Sequence, residues 1–326
     1  MTPDFSVIIV NYKTPQMTAD CVRSVFEQTK GASVEVIVVD NDSRDNSQAV
    51  VTGEFPAVKW IDMGSNAGFA RANNAGMRAA EGENLVLLNS DTLLIDDLLT
   101  KVKQHLGADP ATVACGGVQL YPDLTERPFF KSLAAFRRFQ YIYPPSKGID
   151  RLLEKLYPET QYTDHEQVDW IPAAFLVARK STVEKAGMLD ERFFMYGEDT
   201  EWNCRLGRVG KLKVYGDCQY IHYEWGSHPE RKNQEITPIN RIFPQITLSN
   251  LVWIRKEYGI GQFLALMANY WLMTPVYFGW KMAVNLKNAR SPFFQLENQV
   301  DFARKVALLT GYFTKILFNQ NHFYKL

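Results

Sequence analysis

At 326 residues, 46% of them hydrophobic and 22% charged, the chain has the make-up of a globular protein with one large core or two smaller ones, which excludes a disordered chain. Lys plus Arg and Asp plus Glu both number 36, so no overall field favours nucleic acid or another polyanion, and partners must be read locally. The four cysteines, Cys21, Cys115, Cys204 and Cys218, show neither a C-x-x-C pair nor zinc-like spacing, which fits a reducing compartment and small core residues.

In chain order, Phe5 to Val10 is a strand-like apolar run, Met17 to Gln28 is helical, and Val34 to Val39 is a β-branched run ending in Asp40. A strand around Trp60, a helix from Phe69 to Ala80, a strand at Leu85 and a helix from Asp96 to Leu106 follow. Strands alternating with helices at this spacing predict a mostly parallel sheet covered on both faces. In such a sheet the polar strand ends line one crevice, where ligands are held. From Tyr121 to Gln167 the pattern becomes irregular, with Pro122, Pro128, Pro144, Pro145 and Pro158, and reads as a partly helical insertion. Val168 to Ala178 reads as a strand, Ser181-Thr182-Val183-Glu184 as a helix start with capping-box spacing, and Gly197-Glu198-Asp199 as the opening of a helix ending near Gly210. Short strands around Val214 and Ile221 close the domain, giving boundaries of 1–227 for an α/β domain and 228–326 for a helical, basic extension.

Five clusters could carry chemistry. Leu85-Val86-Leu87-Leu88-Asn89-Ser90-Asp91 is an apolar run ending in a carboxylate, which makes Asp91 a candidate metal ligand; Asn, Ser and Asp also simply terminate strands. Asp40, at the second strand's end and beside Asn11, could accept a hydrogen bond from a base or ribose, or form an Asx turn. Gly64 to Asn74, with Asn66, Gly68 and Arg71, places glycines and a helix start after a strand and suits a diphosphate; it matches neither G-x-G-x-x-G nor a Walker loop, and also reads as an ordinary capped loop. Glu198 and Asp199 open a helix, where the dipole favours ionised carboxylates while each acid opposes the other's ionisation. That balance suits a general base, and equally an acidic helix start. His222 in Tyr220-Ile221-His222-Tyr223 is either a packed histidine or a neutral-imidazole ligand completing a metal site with Asp91.

Taken in order, Ser6-Val7-Ile8-Ile9-Val10-Asn11-Tyr12, Val39-Asp40-Asn41-Asp42-Ser43, Asn66-Ala67-Gly68-Phe69-Ala70 with Asn73-Asn74, Leu88-Asn89-Ser90-Asp91, and Gly197-Glu198-Asp199 with Trp202 resemble glycosyltransferase family 2, in particular its bacterial rhamnosyltransferase-like branch. The resemblance spans about residues 5 to 227. It implies a GT-A fold, a Rossmann-like mostly parallel sheet flanked by helices, followed here by the helical extension. It further implies that Asp40 binds the nucleobase, that Asp91 is the last acid of a D-x-D-type motif, that Asp199 is the catalytic base and that His222 is a further metal ligand. The first acid of that motif is Asn89 here, so Asp91 is the motif's one carboxylate.

On that resemblance, an inverting, metal-dependent transfer is expected, with Mg²⁺ or Mn²⁺ on Asp91 and His222. Asn11, Asp40, Asn66, Gly68, Arg71, Asn89 and Asp91 would line the nucleotide-sugar side, and Trp170, Pro172, Glu198 and Trp202 the acceptor side. The expected donor is dTDP-L-rhamnose, with UDP-galactofuranose or another UDP-hexose as alternatives, and the acceptor a cell-surface polysaccharide or lipid-linked glycan. A non-catalytic nucleotide-sugar or glycan binder is the competing class.

The extension carries seven Lys or Arg against Glu297 and Asp301 between Tyr258 and Leu326, and Gly259 to Trp280 has no charged residue. That stretch is about long enough to span a bilayer, but Gln262, Asn269 and Pro275 interrupt it. Interfacial helices are expected, with basic residues at anionic headgroups and Trp271, Tyr277 and Trp280 at the boundary; a buried or homodimer-forming helical pair is the alternative. The N-terminus lacks a signal peptide's basic and apolar regions, so the chain is expected in the cytoplasm, peripheral at the inner face of the cell membrane.

Overall fold

The computed structural model describes residues 2–128, 131–223, 239 and 242–326. The expected domain boundary at Ser227 and His228 falls outside the described residues. Two compact units are present: Met1–Ser132, Gln161–Phe194 and Glu198–Asn233 in one, and Leu133–Thr160, Met195–Gly197 and Gln234–Leu326 in the other.

The first unit is a mixed α/β layer structure. Its eight strands are β1 (Phe5–Asn11), β2 (Val34–Asp40), β3 (Lys59–Asp62), β4 (Asn84–Asn89), β5 (Thr92–Leu94), β6 (Thr112–Leu120), β7 (Phe175–Arg179) and β8 (Lys211–His222), in the order β3-β2-β1-β4-β7-β6-β8-β5. The β3-β2-β1-β4 half is parallel, β7 runs antiparallel to both its neighbours, β6 and β8 are parallel, and β5 pairs antiparallel with β8. Helices α1 (Pro15–Gln28), α2 (Ser47–Glu54), α3 (Phe69–Ala79), α4 (Leu98–Ala108), α7 (Lys180–Ala186) and α8 (Glu198–Gly207) belong to it. Val7, Ile9, Val36 and Val38 pack into one core with Val22 and Val25 of α1 and Leu98 of α4, while Ile8, Ile37 and Val39 pack into another with Ala70 and Met77 of α3 and Trp202 of α8. Burial on both faces is why these strands are unbroken apolar runs rather than alternating ones. Register then carries Asn11 to Asp40, and Val10 to Asn89, at one sheet end.

Three expectations of local structure change. The strand expected at 168–178 is confined to Phe175–Arg179, because Pro172 has no N–H to give a ladder and Val168 to Ala174 instead form an irregular approach to the site. The capping box at Ser181 is not used: α7 starts at Lys180 straight from β7, with Arg179 at the cap position and its side chain bonded to Thr112 O and Leu106 O. The two short strands at Val214 and Ile221 are one strand, β8, whose register against β6 shifts at Gly117/Val118. The cysteines are all free, and burial pushes the thiols of Cys21 and Cys115 up to about 12, as expected of core residues.

The second unit contains α5 (Leu133–Phe139) and α6 (Lys147–Leu156) from the proline-rich insertion, and α9 (Pro244–Lys287), α10 (Glu297–Thr310) and α11 (Phe313–Leu317). Gly259, at φ 84° and ψ −178°, breaks α9 into two helical stretches. Among the described residues no helix is long and apolar enough to cross a membrane.

Candidate active site

The ends of β1 and β2 form one polar cluster. Asn11 Nδ2 donates to Asp40 Oδ1 at 2.6 Å and to Ser43 Oγ at 3.0 Å, while Asn11 Oδ1 accepts from Thr18 Oγ1 at 2.7 Å. Ser43 closes an Asx turn on Asp40, its N–H and hydroxyl donating to the carboxylate at 3.0 and 2.5 Å. The turn reading of Asp40 therefore holds, and it fixes the carboxylate at the sheet end.

The next residue joins this cluster to the glycine loop. Asn41 Nδ2 donates to Asn66 Oδ1 at 3.1 Å, and Asn41 Oδ1 accepts from Ala67 N at 2.9 Å. Gly68 then passes so close to Phe194 that a Cβ on it would lie 2.2 Å from Phe194 O; its φ of +83° also requires glycine. Phe69 N–H, the first of α3, donates to the same Phe194 carbonyl at 2.7 Å. Asn74 holds the neighbouring segment, accepting from Leu189 N at 3.0 Å and donating to Leu189 O at 2.8 Å and Glu191 Oε1 at 3.1 Å. Arg71 also turns to this segment, its Nε donating to Glu191 O at 3.2 Å. The Asn66–Asn74 motif thus braces the loop leading to Glu198 and Asp199.

At the end of β4, Asn89, Asp91 and His222 meet. His222 is opposite Thr92 across the β5–β8 pair, and Tyr223 N–H donates to Asp91 O at 2.9 Å. His222 Nε2 lies 3.2 Å from Asp91 Oδ1 and 3.4 Å from Asn89 Nδ2, while Nδ1 lies 3.2 Å from Gln119 Oε1. With the amide oxygen accepting, Nδ1 holds its proton there and Nε2 faces the carboxylate. One imidazole nitrogen and one carboxylate oxygen facing each other could both act as donors to a divalent cation, the carboxylate being the ligand type that suits Mg²⁺ or Mn²⁺. The three-residue His, Cys, Asp or Glu group found among the described residues is a different one, His105, Asp217 and Cys218.

Ala173 and Ala174 join that strand end to α8. Asn89 N–H donates to Ala174 O at 3.0 Å, and Ala173 N–H donates to Asp199 Oδ2 at 3.3 Å. The Ala173-Ala174 dipeptide thus links Asn89, two residues before Asp91, to Asp199. Asn203 holds that dipeptide's approach, accepting from Ile171 N at 3.1 Å and donating to Ile171 O at 2.9 Å and Asp199 O at 2.7 Å. Tyr196 and Gly197, with φ of 66° and 76°, turn the chain into α8 through two consecutive left-handed residues.

The three acids of the first turn of α8 have different fates. Glu201, fully buried, is paired with Arg205 at 2.7 Å, and Arg205 also donates to the carbonyls of Ala186, Gly187 and Met188. Glu198 is buried and its Oε2 has no hydrogen-bond partner among the described residues. Burial first, and the adjacent Asp199 charge second, push the Glu198 carboxyl well above the usual carboxylate range. Burial also raises Asp199, but the N–H groups of Ala173 and Thr200, the Thr200 hydroxyl and the Trp170 side chain favour its ionised form. Of the pair, Glu198 is pushed further toward the neutral form, while Asp199 has hydrogen bonds that offset part of its burial. Trp202 is fully buried in the α3/α8 core with its indole N–H on Gly187 O at 2.8 Å, so it faces the interior.

Gln119 and Asn203 have no counterpart in the sequence reading, and Asn74 entered it only within the Asn73-Asn74 motif, without the loop-holding bonds it makes here. Each is a buried polar residue whose partner is set by tertiary pairing, and a polar residue inside an otherwise apolar segment, as at Gln119, was the signal on offer.

Residues 6–164 match the model described as glycosyl transferase family 2. An N-acetylglucosaminyl-diphospho-decaprenol L-rhamnosyltransferase of Mycobacterium tuberculosis is 25% identical over 250 residues, covering 69% of this chain and 77% of that protein. The low-salt glycan biosynthesis hexosyltransferase Agl10 of Haloferax volcanii is 26% identical over 68% of this chain and 66% of its own length. Among solved structures, the mannosyltransferase PcManGT of Pyrobaculum calidifontis, in complex with GDP-Man and Mn²⁺, matches with a TM-score of 0.51 at 15% identity, over 98% of this chain and 88% of that one. S. aureus TarS 1-349 in complex with UDP also gives 0.51, at 16% identity, over 77% of this chain and 65% of that one. These structural likenesses show a shared GT-A fold.

Proposed function

The chain belongs to glycosyltransferase family 2, and from that premise we propose that it moves a sugar from a nucleotide diphosphate to an acceptor hydroxyl with inversion at the anomeric carbon. The observation that supports this reading is a run of contacts from the end of β4 to the start of α8, Asp91 and Asn89 beside His222, Asn89 N–H on Ala174 O, and Ala173 N–H on Asp199. Asp40, fixed by Asn11 and Ser43, receives the nucleobase through its remaining lone pairs. Asn66 and Gly68 bring the backbone of the α3 start to the donor. Asp91 and His222 would hold a divalent cation, Mg²⁺ or Mn²⁺, which would offset the charge of the leaving diphosphate. Asp199 takes the proton of the acceptor hydroxyl as that oxygen bonds to the anomeric carbon and the bond to the diphosphate oxygen breaks. Glu198, protonated, and Trp170 orient the acceptor beside it.

The donor is dTDP-L-rhamnose, a choice supported by the Asn66-Ala67-Gly68-Phe69-Ala70 stretch with Asn73-Asn74 and by the rhamnosyltransferase relative at 25% identity. A cell-surface polysaccharide or lipid-linked glycan, met at the inner face of the cell membrane, is the acceptor. Purified protein offered dTDP-rhamnose, UDP-galactose, UDP-N-acetylglucosamine and GDP-mannose is expected to hydrolyse the first; turnover of a UDP-sugar but not dTDP-rhamnose overturns the donor. Asp199→Asn is expected to lower transfer by about 10²–10⁴-fold with donor affinity retained, the span a positioned base contributes. A variant keeping more than a few per cent of activity assigns the base elsewhere.

A further inference from the structure

The stretch of α9 beyond Gly259 is built inside out. Two of its polar side chains are bonded to other parts of the second unit, Gln262 Oε1 accepting from Tyr157 Oη at 2.9 Å and Asn269 exchanging two bonds of 2.9 Å with the backbone of Ile142, while Thr274 Oγ1 donates back to its own helix at Tyr270 O at 2.9 Å. Its outward positions are apolar. Ile260, Leu264, Trp271, Leu272, Val276 and Trp280 are exposed, Leu272 by 61% and Trp280 by 56%, and the other exposed positions from 260 to 280 are Gly, Ala or Pro. Trp271 satisfies its indole N–H on Thr310 Oγ1 at 2.9 Å and packs on the Phe313 ring at 5.2 Å between ring centres, with the rest of the residue exposed as apolar surface. A helix facing water has the opposite arrangement, so this face is made for an apolar medium or partner.

The charges beside it choose between those two. From Tyr258 to Leu296 the chain has no Asp or Glu but has Lys281, Lys287 and Arg290, all at the end of α9 and just after it. Asn285 Nδ2 fixes the following turn by donating to Pro292 O at 3.0 Å and Phe294 O at 2.6 Å. That turn carries Arg290, whose guanidinium lies 5.1 Å from the Phe294 ring centre, next to the exposed Phe293. An interface between proteins carries roughly one hydrogen bond per 100–200 Å² and a polar rim. This face offers none of those groups over 260–280, only hydrocarbon, two tryptophans and a cationic end. We propose that it docks in the headgroup region of an anionic lipid bilayer, lying along the surface, with the rings at the boundary and the cations on lipid phosphates.

The test uses the full chain and cosedimentation with vesicles, needing no donor, metal or turnover, so its outcome is separate from that of the transferase reading. Binding is expected to vesicles of equal parts phosphatidylcholine and phosphatidylglycerol, and to be weaker on phosphatidylcholine alone. Leu272→Glu with Trp280→Glu is expected to lower binding at least tenfold with an unchanged melting temperature, because both side chains point away from the protein. Lys287→Glu with Arg290→Glu is expected to lower binding to the anionic vesicles by on the order of tenfold or more, since each cation near such a surface contributes about fivefold. No cosedimentation with either vesicle, binding indifferent to the Leu272/Trp280 pair, or a stable dimer in light scattering that this pair converts to monomer would overturn the proposal.

Discussion

Replacing Gly68 by alanine tests whether the glycine loop works by bracing the α8 carboxylates. An ideal Cβ at this position would sit 2.2 Å from Phe194 O, 2.7 Å from Phe194 Cδ2 and 2.9 Å from Phe194 C. Two of the three are backbone atoms, so no side-chain rotation relieves the overlap. The backbone at φ 83° and ψ 173° is itself a region essentially confined to glycine, costing another residue about 1–3 kcal/mol. Separating the loops also breaks the 2.7 Å bond from Phe69 N–H to Phe194 O, worth about 0.5–1.5 kcal/mol. Together these give about 2–4 kcal/mol, or roughly 4–16 °C in melting temperature at about 2–4 °C per kcal/mol. Gly64→Ala is the control, because Gly64 shares a positive φ of 65° but has nothing within 4 Å of its Cβ position. Thermal melts followed by circular dichroism, together with donor-hydrolysis kinetics, should show Gly68→Ala losing both stability and kcat/KM well beyond Gly64→Ala. A Gly68→Ala protein that melts and turns over like the parent would refute the bracing role.

Gln119→Leu removes the acceptor on His222 Nδ1 and is expected to raise the Mn²⁺ concentration needed for half-maximal donor hydrolysis by about 10–100-fold, with kcat at saturating metal largely kept; an unchanged metal requirement would contradict that role. Because burial raises the Glu198 carboxyl above its ordinary 4.5, the stability it allows is complete below that value and is lost as pH rises through the native value. Glu198→Gln should therefore melt near the parent in acid and increasingly above it toward alkaline pH, and a gap constant with pH would show that Glu198 does not titrate in this way. Calorimetric titration of Mn²⁺ is expected to give weak binding to the free chain, tightened about 5–150-fold by saturating dTDP; equal affinity with and without the nucleotide would argue against Asp91 and His222 as a shared site.

The parallel half of the sheet was legible because its strands are buried on both faces and so stand out as apolar runs, and because Asp40, Asn89 and Asp91 mark where those runs stop. The 168–178 segment looked like one more such strand; Pro172 was the visible warning, and the bonds that take its residues out of the ladder come from Asn203 and Asp199, thirty residues downstream. Trp202 shows a different limit. An aromatic near a catalytic carboxylate is equally consistent with a sugar platform and with core, and what settles it is its helical phase relative to Asp199: three residues on, its indole turns into the α3/α8 core and onto Gly187 O. Glu198, Asp199 and Glu201 were one acidic helix start in the sequence; Arg205, one turn further along, is what separates the structural acid from the other two.

Asn89, standing where the resembled motif has an acid, changes the charge balance of the proposed site rather than removing it. Its amide lies 3.4 Å from His222 Nε2 and its backbone N–H is committed to Ala174, so the residue still links β4 to the Asp199 side. With one carboxylate and one imidazole as the proposed donors, the chain would neutralise half of a divalent cation's charge and leave the remainder for the diphosphate. A second carboxylate about 4 Å from a phosphate oxygen would oppose it by about 4 kcal/mol at an effective dielectric constant near 20. On the proposed function, Asn89 would therefore weaken the hold of the free chain on a cation and strengthen the joint hold on cation and donor. In the proposed site a bound nucleotide would supply the rest of the charge balance, and the cation's charge would offset that developing on the leaving group.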